Sequence, residues 1–144
     1  MSTSMSQTNT TQPTTLTMDP DPGFKMTFAG LEVTEELGRP FEARLDVVSS
    51  TVSGNLAKLL GGSMTVTMRL PGGGNRYFNG VVASASYSGI ASGAYRYRLE
   101  LRPWIWLLSR VQDCYIYQNK TVWAIINDIF TRNNFTKLED KRQN

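Results

Sequence analysis

The stretch Tyr95-Arg96-Tyr97-Arg98-Leu99-Glu100-Leu101-Arg102-Pro103 decides the fold class. Odd positions are aromatic or aliphatic and even positions charged, the period-two pattern of a strand with one face in a core and one outside. Pro103 has no N–H for a ladder and stops the strand. On this pattern Tyr95, Tyr97, Leu99 and Leu101 take the core side. Arg96, Arg98 and Arg102 are pushed outward with only Glu100 beside them. Three like charges on one strand face repel one another unless something acidic or water-filled opposes them. These three arginines are therefore the candidate subunit-interface residues.

The same alternation recurs on the N-terminal side. Phe24, Met26 and Phe28 begin a strand that Leu31, Val33 and Glu35 continue after Gly30. Gly38-Arg39-Pro40 punctuates, and Phe41, Ala43, Leu45 and Val47 then alternate with Glu42, Arg44 and Asp46. Asn55–Leu60 reads as a short helical turn ended by Gly61-Gly62. Met64, Val66, Met68 and Leu70 form the next strand, and Pro71-Gly72-Gly73-Gly74-Asn75 is a hairpin connection into a long strand from Arg76 towards Tyr87. Alternation in that strand is weaker, because Val81 and Val82 are adjacent. A turn within Gly89–Ala94 leads back to Tyr95. The expected fold is mainly β with α: an antiparallel sheet or barrel with a flanking helix near the C-terminus.

Beyond Pro103, the apolar run Trp104–Leu108 predicts a short buried helix. Thr121 is a candidate N-cap. Val122, Ile125, Ile126, Ile129 and Phe130 sit at the spacing of a core-facing helical stripe, and Asn133-Asn134 can supply a left-handed C-terminal residue. Residues 1–22 are different: thirteen are Ser, Thr, Asn or Gln, and Pro13, Pro20 and Pro22 interrupt the rest. They read as a disordered tail, with a recognition peptide as the alternative. Residues 23–144 then form one incomplete module.

Composition narrows the chemistry. Leu, Ile, Val and Phe make 34 of the 144 residues, enough for a core. Histidine is absent, which excludes Ser-His-Asp and Cys-His nucleophilic sites and His-ligated metals. Glu35 and Glu36 fall on opposite strand faces and make no acid/base pair. Cys114, the single cysteine, has no basic neighbour in sequence and is expected to be a buried, inert thiol. No catalytic, cofactor-binding or metal site is expected, and the chain reads as non-enzymatic. No basic start precedes an apolar stretch, and no apolar run reaches the roughly 18 residues of a membrane span. The net charge of +3 is uneven: residues 1–72 carry five Lys/Arg against seven Asp/Glu, and residues 73–144 ten against five. The imbalance is too mild to demand nucleic acid. The Gly-rich loop lacks the Lys and Ser/Thr of a phosphate loop. Tyrosines and arginines of 95–98 fall on opposite faces, so they do not form one stacking-plus-phosphate surface. A nucleic-acid-binding β-barrel is the alternative class.

Several strings are familiar. Residues 30–49, from Gly30-Leu31-Glu32-Val33 through Gly38-Arg39-Pro40-Phe41 to Ser49, resemble the opening of the VgrG spike proteins of type VI secretion. Leu60-Gly61-Gly62 before Met64–Pro71 is similar to their next strand, and Arg76-Tyr77-Phe78-Asn79-Gly80-Val81 to a signature of theirs. Tyr95–Arg110, Asp113-Cys114 and Tyr117-Gln118-Asn119-Lys120-Thr121-Val122 match most strongly. The resemblance covers residues 24–138 in the family's order. It implies a structural component of a phage-tail-hub-like spike, a homotrimer at full length that caps a tube of Hcp-type hexamers and works with effector or adaptor proteins. It further implies synthesis in the cytoplasm without a signal peptide and secretion through the type VI apparatus. Against the family's full pattern the sequence reads as truncated, before a second barrel and a needle.

Overall fold

In a computed structural model, residues 14–52 and 55–135 are described. They fall into two compact units, one through Leu107 and the other from Leu108 onward. The first is a six-stranded antiparallel sheet: β1 (Thr15–Asp19), β2 (Thr27–Thr34), β3 (Glu42–Ser49), β4 (Ser63–Arg69), β5 (Asn75–Ala91) and β6 (Ala94–Arg102). Their order is β1-β4-β5-β6-β3-β2. The edge strands β1 and β2 approach each other without pairing, so the sheet curls into a partly open barrel. Its filling is the inward face of every strand, with Leu45, Val47, Met64, Val66, Leu99 and Leu101 fully buried and Leu59 added from the 3-10 helix Leu56–Leu59. The mainly β expectation with a C-terminal helix holds.

Register follows from the pleat. β3 and β6 pair Ala43 with Leu101, Leu45 with Leu99 and Val47 with Tyr97, all on the inward face. The weak alternation of β5 has a local cause. Its pairing with β6 slips between Val82 and Ser84 and again between Tyr87 and Gly89, and each extra residue resets which side chains point inward. The β5–β6 turn places Ser92 and Gly93 at φ 52° and 75°, the left-handed pair that a two-residue hairpin requires.

Arg76-Tyr77-Phe78-Asn79-Gly80 has a structural reason for each of four positions. Arg76 Nη2 donates to Glu35 Oε2 at 2.8 Å, and its guanidinium lies 4.6 Å from the Phe78 ring. Phe78 packs on the core. The Asn79 amide donates to Ser63 Oγ (3.1 Å) and Thr65 Oγ1 (2.7 Å) on β4. A Cβ on Gly80 would lie 2.8 Å from the Arg102 carbonyl oxygen, closer than backbone allows.

Three expectations need correction. The tail does not extend to residue 22: Thr15–Asp19 is a strand paired with β4, because Leu16 and Met18 alternate with threonines and pack on the core. Residues 1–13 of that proposed tail lie outside the described residues. The first long strand begins at Thr27 rather than Phe24. The segment Trp104–Arg110 is a 3-10 helix with no buried residue. It starts after the last inward side chain of β6, and Trp104 and Ile105 are exposed.

The second unit holds α1 (Val122–Arg132). Thr121 Oγ1 accepts from the Ala124 N–H, as an N-cap should. At the other end Asn134 takes φ 61°, the Phe135 N–H donates to Phe130 O (2.8 Å) and the Asn134 N–H to Thr131 O (3.1 Å). Phe135 meets Phe130 edge-on, completing a Schellman stop with its apolar contact. The expected core-facing stripe is only half covered: Val122 is exposed, and no residue of α1 is buried.

Gly80→Ala should destabilise the first unit by about 1–3 kcal/mol, because the added methyl meets backbone rather than a side chain that can swing aside. Thermal or urea unfolding measures it.

Candidate subunit-interface face

The outward faces of β2, β3 and β6 form one continuous surface. Across it the registers align Glu32 with Arg44 and Arg44 with Glu100, and Asp46 with Arg98. Both sheet halves of this face are therefore built from the even-numbered residues that alternation pushes out of the core.

The three sequence-predicted arginines all lie here, in unlike surroundings. Arg98 meets Asp46 in a two-pronged pair, Nε to Oδ1 at 2.9 Å and Nη2 to Oδ2 at 3.3 Å. That hydrogen bond, and then the carboxylate's charge, raise the guanidinium's pKa above its ordinary value against an opposing desolvation. Arg102 pairs with Glu42 and is the least exposed of these ion-pairing side chains. Arg44 reaches Glu32 at 3.7 Å. Arg96, exposed, has Val48 and Gly89 as its register neighbours. Among the described residues it makes no ion pair.

The premise that only Glu100 accompanies the arginines is thus corrected. Acids on β3 oppose Arg98 and Arg102 within the same chain. The outward placement of Glu42 and Asp46 was visible in the alternation of β3. What sequence reasoning missed was that β3 lies beside β6, since 52 residues separate Asp46 from Arg98.

A second polar cluster ties the second unit together. Asp128 pairs with Arg132 (2.9 Å), whose guanidinium lies 4.2 Å from the Tyr115 ring centre. Lys120 stands over the Tyr117 ring at 5.5 Å. The Tyr117 hydroxyl is buried without a well-formed hydrogen bond among the described residues. Desolvation foremost, then the neighbouring Asp128 carboxylate, push its pKa above the ordinary tyrosine value. Cys114 is exposed, not buried as expected, and its segment runs outside regular structure. Among the described residues no His/Cys/Asp/Glu group could hold a metal, and no helix is long and apolar enough to cross a membrane.

Two outcomes follow from these contacts. Arg98→Glu places a carboxylate opposite Asp46 and should lower the melting temperature, and the swap Asp46→Arg with Arg98→Glu should restore most of it. Tyr117 has a folded pKa above its unfolded one. Its contribution is therefore complete below about pH 10 and lost as pH rises through the folded value. In alkaline melts Tyr117→Phe should remove that part of the loss.

Residues 34–143 match the family described as phage tail baseplate hub (GPD). Over 110 residues the chain is 46% identical to the type VI secretion system spike protein VgrG1c of Pseudomonas aeruginosa, covering 76% of this chain and 15% of that protein. Over a similar span it is 42% identical to VgrG1a of the same organism, covering 76% and 17%. The chain thus spans about a sixth of the relatives it matches. Among solved structures it is similar to the E. coli c3393 protein, a component of the type VI secretion system with structural similarity to the T4 phage tail proteins gp27 and gp5. The TM-score is 0.71 at 22% identity, over 87% of this chain and 33% of that one. That likeness extends to the fold, the family match covers three quarters of the sequence, and the chain belongs to the phage tail baseplate hub family.

Proposed function

We propose that this chain is the hub-like structural module of a type VI secretion spike and acts in assembly rather than catalysis. The observation that carries the reading is the 46% identity to VgrG1c across the hub-family segment. In this reading the module trimerises within a full-length spike, the ring caps an Hcp-type tube, and effector or adaptor proteins travel with it. The assembled spike leaves the cytoplasm through the type VI apparatus.

The outer face of β6 is the proposed contact surface, and the ion pairs sort its arginines. Arg98 and Arg102 already have carboxylates in their own chain, so a neighbour's acid would have to compete with Asp46 and Glu42 for them. Arg96 is the cation available to a neighbour's acid. The same pairing argues against a phosphate-binding face, since two of three candidate cations are neutralised in place.

In a full-length spike carrying this module, Arg96→Glu should weaken ring or tube assembly and change its dependence on salt. The melting temperature should stay nearly fixed, since exposed substitutions away from special features usually shift stability by about 0.5 kcal/mol or less. Sedimentation and secretion of the tube protein measure the assembly. Unaltered assembly would remove Arg96 from the interface, and salt-sensitive binding of DNA or RNA would favour the nucleic-acid alternative.

A further inference from the structure

Asn79 lies within β5 and is the one asparagine of the chain that glycine follows. In that dipeptide the side-chain amide is open to attack by its own backbone. The nitrogen of the next residue can close a five-membered ring on Cγ, and a glycine there has no Cβ to hinder the approach. The fold opposes this attack in three ways. The ladder pairs Asn79 with Thr65 and Gly80 with Met64. Ring closure needs the Gly80 nitrogen swung round to eclipse Cβ of Asn79, and the extended ψ of about +135° in an antiparallel strand holds it well away. The nitrogen that must leave is held too, because Asn79 Nδ2 donates to Ser63 Oγ at 3.1 Å and to Thr65 Oγ1 at 2.7 Å. Gly80 itself is buried, so close to Arg102 that a Cβ would stand 2.8 Å from its carbonyl oxygen. The attacking nitrogen therefore has no room to swing.

We propose that Asn79 is a modification site gated by the fold, closed to deamidation in the folded sheet and converted when this part of β5 opens. The Gly80 nitrogen gives up its proton and bonds to Asn79 Cγ. The bond from Cγ to Nδ2 breaks, and Nδ2 leaves with that proton as ammonia. Nothing is oxidised or reduced. Water then opens the succinimide ring at one of its two carbonyls, giving aspartate or isoaspartate. The two products bear differently on the sheet. Aspartate keeps the backbone intact, and the hydroxyls of Ser63 and Thr65 can rotate to donate to its carboxylate. Isoaspartate routes the main chain through Cγ and lengthens it by one methylene just before Gly80, where the Arg102 backbone leaves no slack. The side chains that follow then fall out of step with the pleat. Opening of β5 is thus recorded covalently, and a chain that has formed isoaspartate does not regain this sheet. The inference stands independently of the spike reading.

The whole chain, incubated at mildly alkaline pH either folded or unfolded in guanidinium chloride, tests this by peptide mass mapping with separation of the two products. Asn79 should convert in the unfolded chain, and at least about tenfold more slowly in the folded one, since a strand within the core opens rarely. In guanidinium, where folding does not enter, Gly80→Ala should slow the conversion by hindering the attacking nitrogen. Asn79→Gln should slow it further, because its longer side chain must close a six-membered ring. When the denaturant is removed, the refolded fraction should fall as the isoaspartate fraction grows. Asn79→Asp, made directly, should refold to the sheet, which separates the effect of backbone length from that of charge. Equal rates in the folded and unfolded chain overturn the gating. An unfolded chain that keeps Asn79 intact, or loses it as fast with Gly80→Ala, overturns the site. Isoaspartate-bearing chains that refold fully, with the parent's melting temperature, overturn the one-way consequence.

Discussion

The pairing of β3 with β6 is the constraint on which the first unit depends. It joins inward residues 43, 45 and 47 to 101, 99 and 97, and the outward ones between them to each other. Side chains alternate with a period of two, so a slip of one residue would send Leu45 and Leu99 to solvent and bring Asp46 and Arg98 into the core. The cost of burying those charges far exceeds anything their mutual attraction returns. Core packing therefore sets the register, and the register then sets the ion pairs. Arg98 meets Asp46 because the adjacent Leu45 and Leu99 must meet on the inward face, not because the pair is strong. Exposed ion pairs of this kind contribute little stability.

Closure of the sheet rests on exceptions to regularity. The two slips along β5 let one strand of seventeen residues serve β4 at one end and β6 at the other. Gly80 stands where β5 changes partners, and only a missing side chain admits the Arg102 carbonyl. Gly61 donates to Val82 O and Val82 to Gly62 O, so the glycine pair after the 3-10 helix extends the ladder beside the first slip. These features bend the sheet towards the approach of β1 and β2, and a curved sheet is what encloses Leu59 and Met64. The glycines read as turn punctuation in the sequence thus also act as bending points.

The second unit is organised by polar contacts more than by burial. Its helix has good caps and a half-covered apolar stripe. Arg132 and Asp128 reach back to two tyrosines of the preceding extended segment, so the segment is positioned although it belongs to no sheet. A helix with this much uncovered surface takes its stability from caps and partners rather than from propensity alone.

The strands β2 to β6, the hairpins, the Thr121 cap and the Asn134 stop were legible in the sequence, because each depends on neighbours within a few residues. Outward placement of Arg96, Arg98 and Arg102 was legible for the same reason. Strand order was not, since it is decided by contacts between residues far apart in the chain. So Asp46 and Glu42 as partners of Arg98 and Arg102 could come only from tertiary structure. Thr15–Asp19 was hidden because a short run of threonines around two apolar residues has no stable conformation until β4 offers an edge. Cys114 and the Trp104–Leu108 run were misjudged on apolar character, which predicts burial only where a core remains to be filled. The sequence by itself determined local conformation and the two faces of each strand. Tertiary structure alone decided which faces meet, because pairing energy depends on the partner and not on the strand.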